Sequence, residues 1–155
     1  IVQRAYTLYD MMKASSSWDN IAREWVTSME ISFRCGLPTW LRIKRETGNV
    51  NAATVHTFLT ILSKYPDTFI ARKIGSRTEG DVEKAVRKGL VEAMKISSTA
   101  SKVLGMGGVT TVEGMKALRD FDRQLRSKGN EMNPGTTADL TSSSIMISIL
   151  GGERP

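Results

Sequence analysis

Apolar residues recur along this chain at steps of three and four, the period of an amphipathic α-helix, and no segment shows the strict alternation of a half-buried strand. Residues 1–14 open on such a pattern, with Val2, Tyr6 and Tyr9. A second helix is predicted from a Ser17 or Asp19 cap, carrying Ile21, Trp25, Met29 and Phe33 on one stripe to Cys35, with Gly36 ending it. Pro38 suits the first turn of a third helix, 39–47, which Gly48-Asn49 stops. Asn51 is placed to cap a fourth, with Val55, Phe58, Leu59 and Leu62 on one face, ended by Tyr65-Pro66 because a residue before proline avoids the α region. Residues 66–77 read as a connector. A long fifth helix spans 78–104, and its small residues Gly89, Ala93 and Ala100 permit close helix contact. After the break Gly105-Met-Gly-Gly108, Thr110 or Thr111 starts a sixth helix running to Lys128-Gly129. The seventh, 136–150, is Ser-rich and then apolar on all sides, which predicts burial. The fold expected is an all-α, single-domain bundle of about seven helices over 1–155, without internal repeats.

Composition supports a globular reading. The chain has 155 residues, 40% apolar and 25% charged, ordinary values for one domain with a real core. It begins with Ile1 rather than Met and is read as the C-terminal part of a longer protein. No 18-residue apolar stretch is present, so no membrane span is expected. The single Cys35 has no partner for an internal disulfide, and no Cys/His metal spacing occurs. A reducing cytoplasm fits. The net charge of +6 suits anionic partners. Its basic residues are scattered among acids, and only Arg42-Ile43-Lys44-Arg45 is dense, so nucleic acid is not the expected partner.

Two segments carry candidate chemistry. In Asn133-Pro134-Gly135-Thr136-Thr137-Ala138-Asp139-Leu140, glycine lets the backbone approach a ligand closely. Thr136 or Thr137 can cap the helix that follows, whose free N–H groups favour an anion. Asp139 in the first turn could hold a metal. In Asp67-Thr68-Phe69-Ile70-Ala71-Arg72-Lys73, an acid, a hydroxyl and two adjacent cations match the parts of a phosphate site. The same residues fit an ordinary segment in which Asp67 caps a helix and the cations are solvated. Gly105–Thr111 could cradle an anion or simply link two helices, and it lacks the ending of a P-loop. His56, the one histidine, reads as a helix residue without a catalytic or metal partner. Trp18, Trp25 and Trp40 read as core or helix contacts.

Taken together, these two segments resemble the triphosphoribosyl-dephospho-coenzyme-A synthase family. Asn-Pro-Gly-Thr-Thr-Ala-Asp-Leu at 133–140 is similar to that family's Ser-Pro-Gly-Gly-Ser-Ala-Asp-Leu motif, and residues 67–75 resemble its Asp-Thr-Asn-x-x-x-Arg-Gly-Gly segment. The order agrees, with a Leu-x-x-Phe-Asp helix (Leu118 to Asp122) between them. The chain resembles the C-terminal half or so of the family. The resemblance implies an all-helical, ATP-dependent transferase that joins the triphosphoribosyl group of ATP to dephospho-CoA, or a related acceptor, and releases adenine. It implies that Asp67, Arg72 and Asp139, which match motif positions, bind the ATP triphosphate, its Mg²⁺, or both; the residues themselves add Thr68, Lys73, Gly135, Thr136 and Thr137 as nucleotide- or phosphate-binding, with Asp67 and Asp139 as the ligands of Mg²⁺ held with ATP. It places no catalytic acid or base. Phe69, Ala71, Lys73-Ile74 and Thr136-Thr137 depart from the family pattern, and its N-terminal Lys-Pro-Gly segment and acidic partner are absent here. A missing N-terminal segment or a second chain would complete the site. The alternatives are a non-catalytic helical nucleotide- or phosphate-binding module and an assembly subunit.

Overall fold

A computed structural model describes residues 6–127, 129 and 131–154. Among them are eight α-helices and one π-helical turn: α1 (Leu8–Ser15), α2 (Asn20–Val26), the π turn (Ser32–Gly36), α3 (Leu37–Thr47), α4 (Val50–Lys64), α5 (Thr68–Gly75), α6 (Val82–Gly105), α7 (Val112–Arg126) and α8 (Gly135–Leu150). No strand occurs among the described residues. The start of the first expected helix and Lys128 lie outside them.

Local chemistry explains most boundaries. Thr7 and Asp10 form a reciprocal capping box on α1. The Asn49 side chain, rather than that of Asn51, caps α4, and Asp81 caps α6 four residues later than the predicted start. Thr111 caps α7 as expected. Gly48 closes α3 in the left-handed conformation, and Tyr65 is extended before Pro66.

Three expectations are corrected. The second helix does not run to Cys35: it stops at Val26, and Ser28 and Met29 adopt left-handed φ values of 55° and 63°. The buried Glu24 carboxylate redirects the chain by accepting from the Ile31 and Ser32 N–H groups, both at 2.8 Å, and from the Ser32 hydroxyl at 2.6 Å. Those bonds fix the entry to the π turn, which runs straight into α3 without a stop at Gly36. Trp25 therefore leaves the core and stands 58% exposed, whereas Trp40 is fully buried. The connector 66–77 is likewise no loop, because Asp67 caps α5 within it.

The third correction concerns α8. Its buried face is the hydroxyl-bearing one: Thr137, Leu140, Thr141, Ser144 and Ser148, at helical spacing. Thr141, Ser144 and Ser148 donate back to the carbonyls of Thr137, Leu140 and Ile145, each at 2.7 Å, so burial leaves no hydroxyl of theirs unpaired. These small side chains let the π turn approach, and a Cβ on Gly36 would lie 1.9 Å from Ser144 Oγ. Of its apolar residues Leu140 is buried and Ile145 packs against the Trp40 cluster, whereas Met146 is 51% and Leu150 79% exposed.

The main core lies between α4, α5, α6 and α7 and includes Leu59, Leu62, Ile70, Val86, Ile96 and Phe121. Here α5 and α6 pack backbone to backbone. A Cβ on Gly75 would lie 1.8 Å from the Ala85 carbonyl oxygen, and one on Gly89 2.0 Å from that of Ala71. The close contact expected of Gly89 is thus made, and it clamps α5 in place. A second core of Ile31, Cys35, Ile61 and Leu140 ties the π turn and α4 to α8. The two candidate segments, 60 residues or more apart in sequence, are therefore held side by side.

Candidate functional site

The N-termini of α2, α5 and α8 meet at one end of the bundle. Asp67 is the joint. Its Oδ1 accepts from the Phe69 and Ile70 N–H groups, both at 3.0 Å, capping α5. Its Oδ2 accepts from the Thr137 N–H at 2.7 Å and the Thr137 hydroxyl at 2.8 Å, within the first turn of α8. The α8 N-cap is Pro134, which offers no side-chain cap. The expectation that Thr136 or Thr137 caps α8 is thus corrected: both lie in its first turn, where Asp67 accepts from the Thr137 N–H and hydroxyl from another helix. Asp67 is 1% exposed. Burial pushes its carboxyl above its ordinary range, against the four hydrogen bonds that favour the charge.

A chain of hydroxyls extends the joint. Thr68 and Thr136 hydroxyls pair at 3.2 Å, and Thr136 Oγ1 also accepts from the Phe69 N–H at 3.2 Å. The Asn20 N–H approaches Thr68 Oγ1 at 3.4 Å, and its side-chain amide donates to the Pro66 carbonyl. Asp19 caps α2 beside them.

Outside this joint lies a polar cleft of about 410 Å³, lined by Asp19, Thr68, Arg72, Gly135, Thr136 and Asp139, with Phe69 on its wall. Gly135 packs its bare backbone against Phe69: a Cβ there would press on the ring at 3.0 Å, and the ring would have to give way. The Phe69 ring also organises the cations, with the Arg72 guanidinium 5.1 Å and the Lys73 ammonium 4.6 Å from its centroid. Arg72 and Asp139 are exposed. The cleft therefore offers the Arg72 guanidinium and the Thr68–Thr136 hydroxyl pair, favourable to an anion, beside helix starts whose first N–H groups are partly taken by the Asp19 and Asp67 carboxylates, with the Asp139 carboxylate exposed at its edge. Of the sequence candidates, Thr68, Arg72, Gly135, Thr136 and Asp139 line the cleft, Asp67 and Thr137 lie behind it, and Lys73 borders it through Phe69. Among the described residues no group of three or more His, Cys, Asp or Glu side chains is arranged to hold a metal by itself.

Sequence reasoning missed Asp19, Asn20 and Phe69 as parts of this site. Asp19 was legible as a cap, but nothing in spacing showed that its helix would meet the other two. Other candidates lie elsewhere. Gly105–Thr111 folds on itself, with Thr110 donating to the Gly107 carbonyl and a Gly114 Cβ excluded 2.3 Å from the Gly108 oxygen. His56 is buried against Gly108, its Nδ1 has no hydrogen-bond partner among the described residues, and burial followed by the Arg42 charge pushes its pKa down. Within the basic run, Ile43 is buried, Arg42 pairs with Glu46 and Lys44 with Glu153. No helix among the described residues is long and apolar enough to cross a membrane.

The family model described as ATP:dephospho-CoA triphosphoribosyl transferase (CitG) matches residues 2–155. A curated relative, the 2-(5''-triphosphoribosyl)-3'-dephosphocoenzyme-A synthase of Klebsiella pneumoniae, is 30% identical over 104 residues, which cover 67% of this chain and 29% of the relative. No solved structure matches the chain. With the match spanning every described residue, the chain belongs to the ATP:dephospho-CoA triphosphoribosyl transferase family.

Proposed function

We propose that the cleft binds the triphosphate of ATP, and that the protein containing this chain transfers the triphosphoribosyl group to dephospho-CoA or a related acceptor. In that reaction the bond from the ribose anomeric carbon to adenine breaks and a bond to an acceptor hydroxyl oxygen forms. Adenine takes up a proton as the hydroxyl loses one. The triphosphate stays on the transferred group, so the protein's task at this end is to hold and orient it.

The observation that carries this reading is the convergence of Arg72, the Thr68 and Thr136 hydroxyls and the α8 N-terminus on one cleft. Arg72 would form a bidentate contact with phosphate oxygens, and the first turn of α8 would face them with its positive end. Lys73, held at the Phe69 ring, adds a second positive charge. Mg²⁺ fits this site only in company with phosphate, since it needs one or two carboxylates when phosphates supply further oxygens. Asp139 is the exposed carboxylate suited to it. Bound there, the ion would neutralise phosphate charge. Asp67 serves from behind, fixing the turn that presents Gly135 and Thr136. A further segment or a second chain completes the enzyme around the acceptor. The buried, unpaired Cys35 supports a cytoplasmic placement.

Calorimetric titration with Mg·ATP tests the reading. Saturable binding is expected, weakened at least tenfold by Arg72→Ala and made independent of Mg²⁺ by Asp139→Ala. Unchanged affinity in both folded variants, or no binding to the folded parent, refutes it.

A further inference from the structure

A second cavity of about 410 Å³ adjoins the polar cleft and shares two walls with it, Ile21 and Asp139. Its character is different. Trp25, Met29 and Met146 line it, together with Ile21 and Ser143. Three features single it out, the first two of them produced by the same Glu24-held turn. Trp25 is a large aromatic held 58% exposed at its edge, where burial in a core would be the ordinary outcome. Met29 enters the wall from a left-handed backbone at φ 63°, with Ser28 strained before it, and such conformations concentrate at binding sites. Ser143 Oγ is buried yet has no hydrogen-bond partner among the described residues, which is the state of a group awaiting one.

From this we infer that the cavity receives the purine base of the nucleotide whose phosphates occupy the cleft, stacked on Trp25 between the Met29 and Met146 thioethers. The inference rests on the phosphate reading above. An indole face offers stacking, and thioethers make favourable contacts with aromatic rings. The walls shared by a charged cleft and a mainly apolar cavity fit a ligand that is anionic at one end and flat and aromatic at the other. Ser143 Oγ supplies a hydrogen-bonding group for a ring nitrogen. A purine on a phosphorylated ribose occurs in both proposed substrates, ATP and dephospho-CoA, and the test separates them.

The experiment compares Mg·triphosphate, which has no base, with Mg·ATP and with dephospho-CoA, each titrated into the parent chain, Trp25→Ala and Met146→Ala. Both side chains are largely exposed, so either variant should fold, and circular dichroism checks that it does. The expected result is that triphosphate binds all three proteins alike, while ATP binds the parent about tenfold more tightly than triphosphate and loses that advantage in Trp25→Ala. Dependence on Trp25 for dephospho-CoA instead would assign the base pocket to the acceptor. If triphosphate binds while neither nucleotide responds to Trp25 or Met146, the base pocket is overturned and the phosphate site stands. If none of the three ligands binds the folded parent, both fall.

Discussion

Replacing Asp67 by Asn separates the positioning role of this carboxylate from any direct role in ligand binding. The asparagine Oδ1 can still accept from Phe69 and Ile70. The new NH₂ then faces the Thr137 N–H and hydroxyl, which sit 2.7 and 2.8 Å from the present Oδ2. The hydroxyl can turn and accept, but the N–H cannot. One buried N–H is left unpaired, at about 1–3 kcal/mol, and one charge-assisted bond is lost, at about 1.5–3 kcal/mol. Relief of carboxylate desolvation offsets part of this, so a net loss of roughly 2–3 kcal/mol is expected. In urea, with m of about 2 kcal/mol/M, the midpoint should fall by about 1 M at unchanged m. Asp81→Asn is the control, because Asp81 is exposed and accepts one bond, from the Lys84 N–H; it should cost under ~1 kcal/mol. A change within ~0.5 kcal/mol for Asp67→Asn would refute the claim that this carboxylate joins α5 to α8.

Further outcomes follow from the packing. Gly89→Ala should destabilise by roughly 1–3 kcal/mol, seen as a lower Tm, because its Cβ would lie 2.0 Å from the Ala71 carbonyl. Stabilisation, the usual result of Gly→Ala in a helix, would show that the two helices are not in backbone contact. Leu140→Ala, in the second core, should cost roughly 2–5 kcal/mol by urea unfolding, and Leu150→Ala under ~0.5 kcal/mol; equal losses would contradict the outward apolar face of α8. Because burial lowers the folded-state pKa of His56 below 6.5, its stability contribution is complete above that value and lost as pH falls through the lowered one. Relative to His56→Gln, the parent should therefore lose stability as pH falls below 6.5, and parallel pH profiles would count against a buried neutral imidazole.

Much of the fold and part of the site were written in the sequence because they depend on neighbours along the chain. The period of three and four along residues 82–103 predicts a helix whose small face packs closely, and that face meets α5 through Gly89. The Tyr65-Pro66 stop, the Gly48 close and the Thr111 cap rest on backbone sterics or one short hydrogen bond. The Pro-Gly-Thr-Thr-Ala-Asp turn was legible as a helix start because proline and glycine restrict or free the backbone by themselves.

What the tertiary structure alone decided involves groups far apart in sequence. Nothing around Glu24 shows that its carboxylate will hold the Ile31 and Ser32 amides, end α2 early and leave Trp25 exposed. The apolar end of α8 predicts burial, yet its hydroxyl face is the buried one. Small side chains that donate to carbonyls of the preceding turn let the Gly36 backbone come closer than Ile or Met would allow. Local spacing also allowed Asp67 to be either a cap or a ligand. It became the joint of the site because the α5–α6 clamp brings its second oxygen to Thr137, 70 residues onward, where an α8 without a side-chain cap leaves a donor to satisfy.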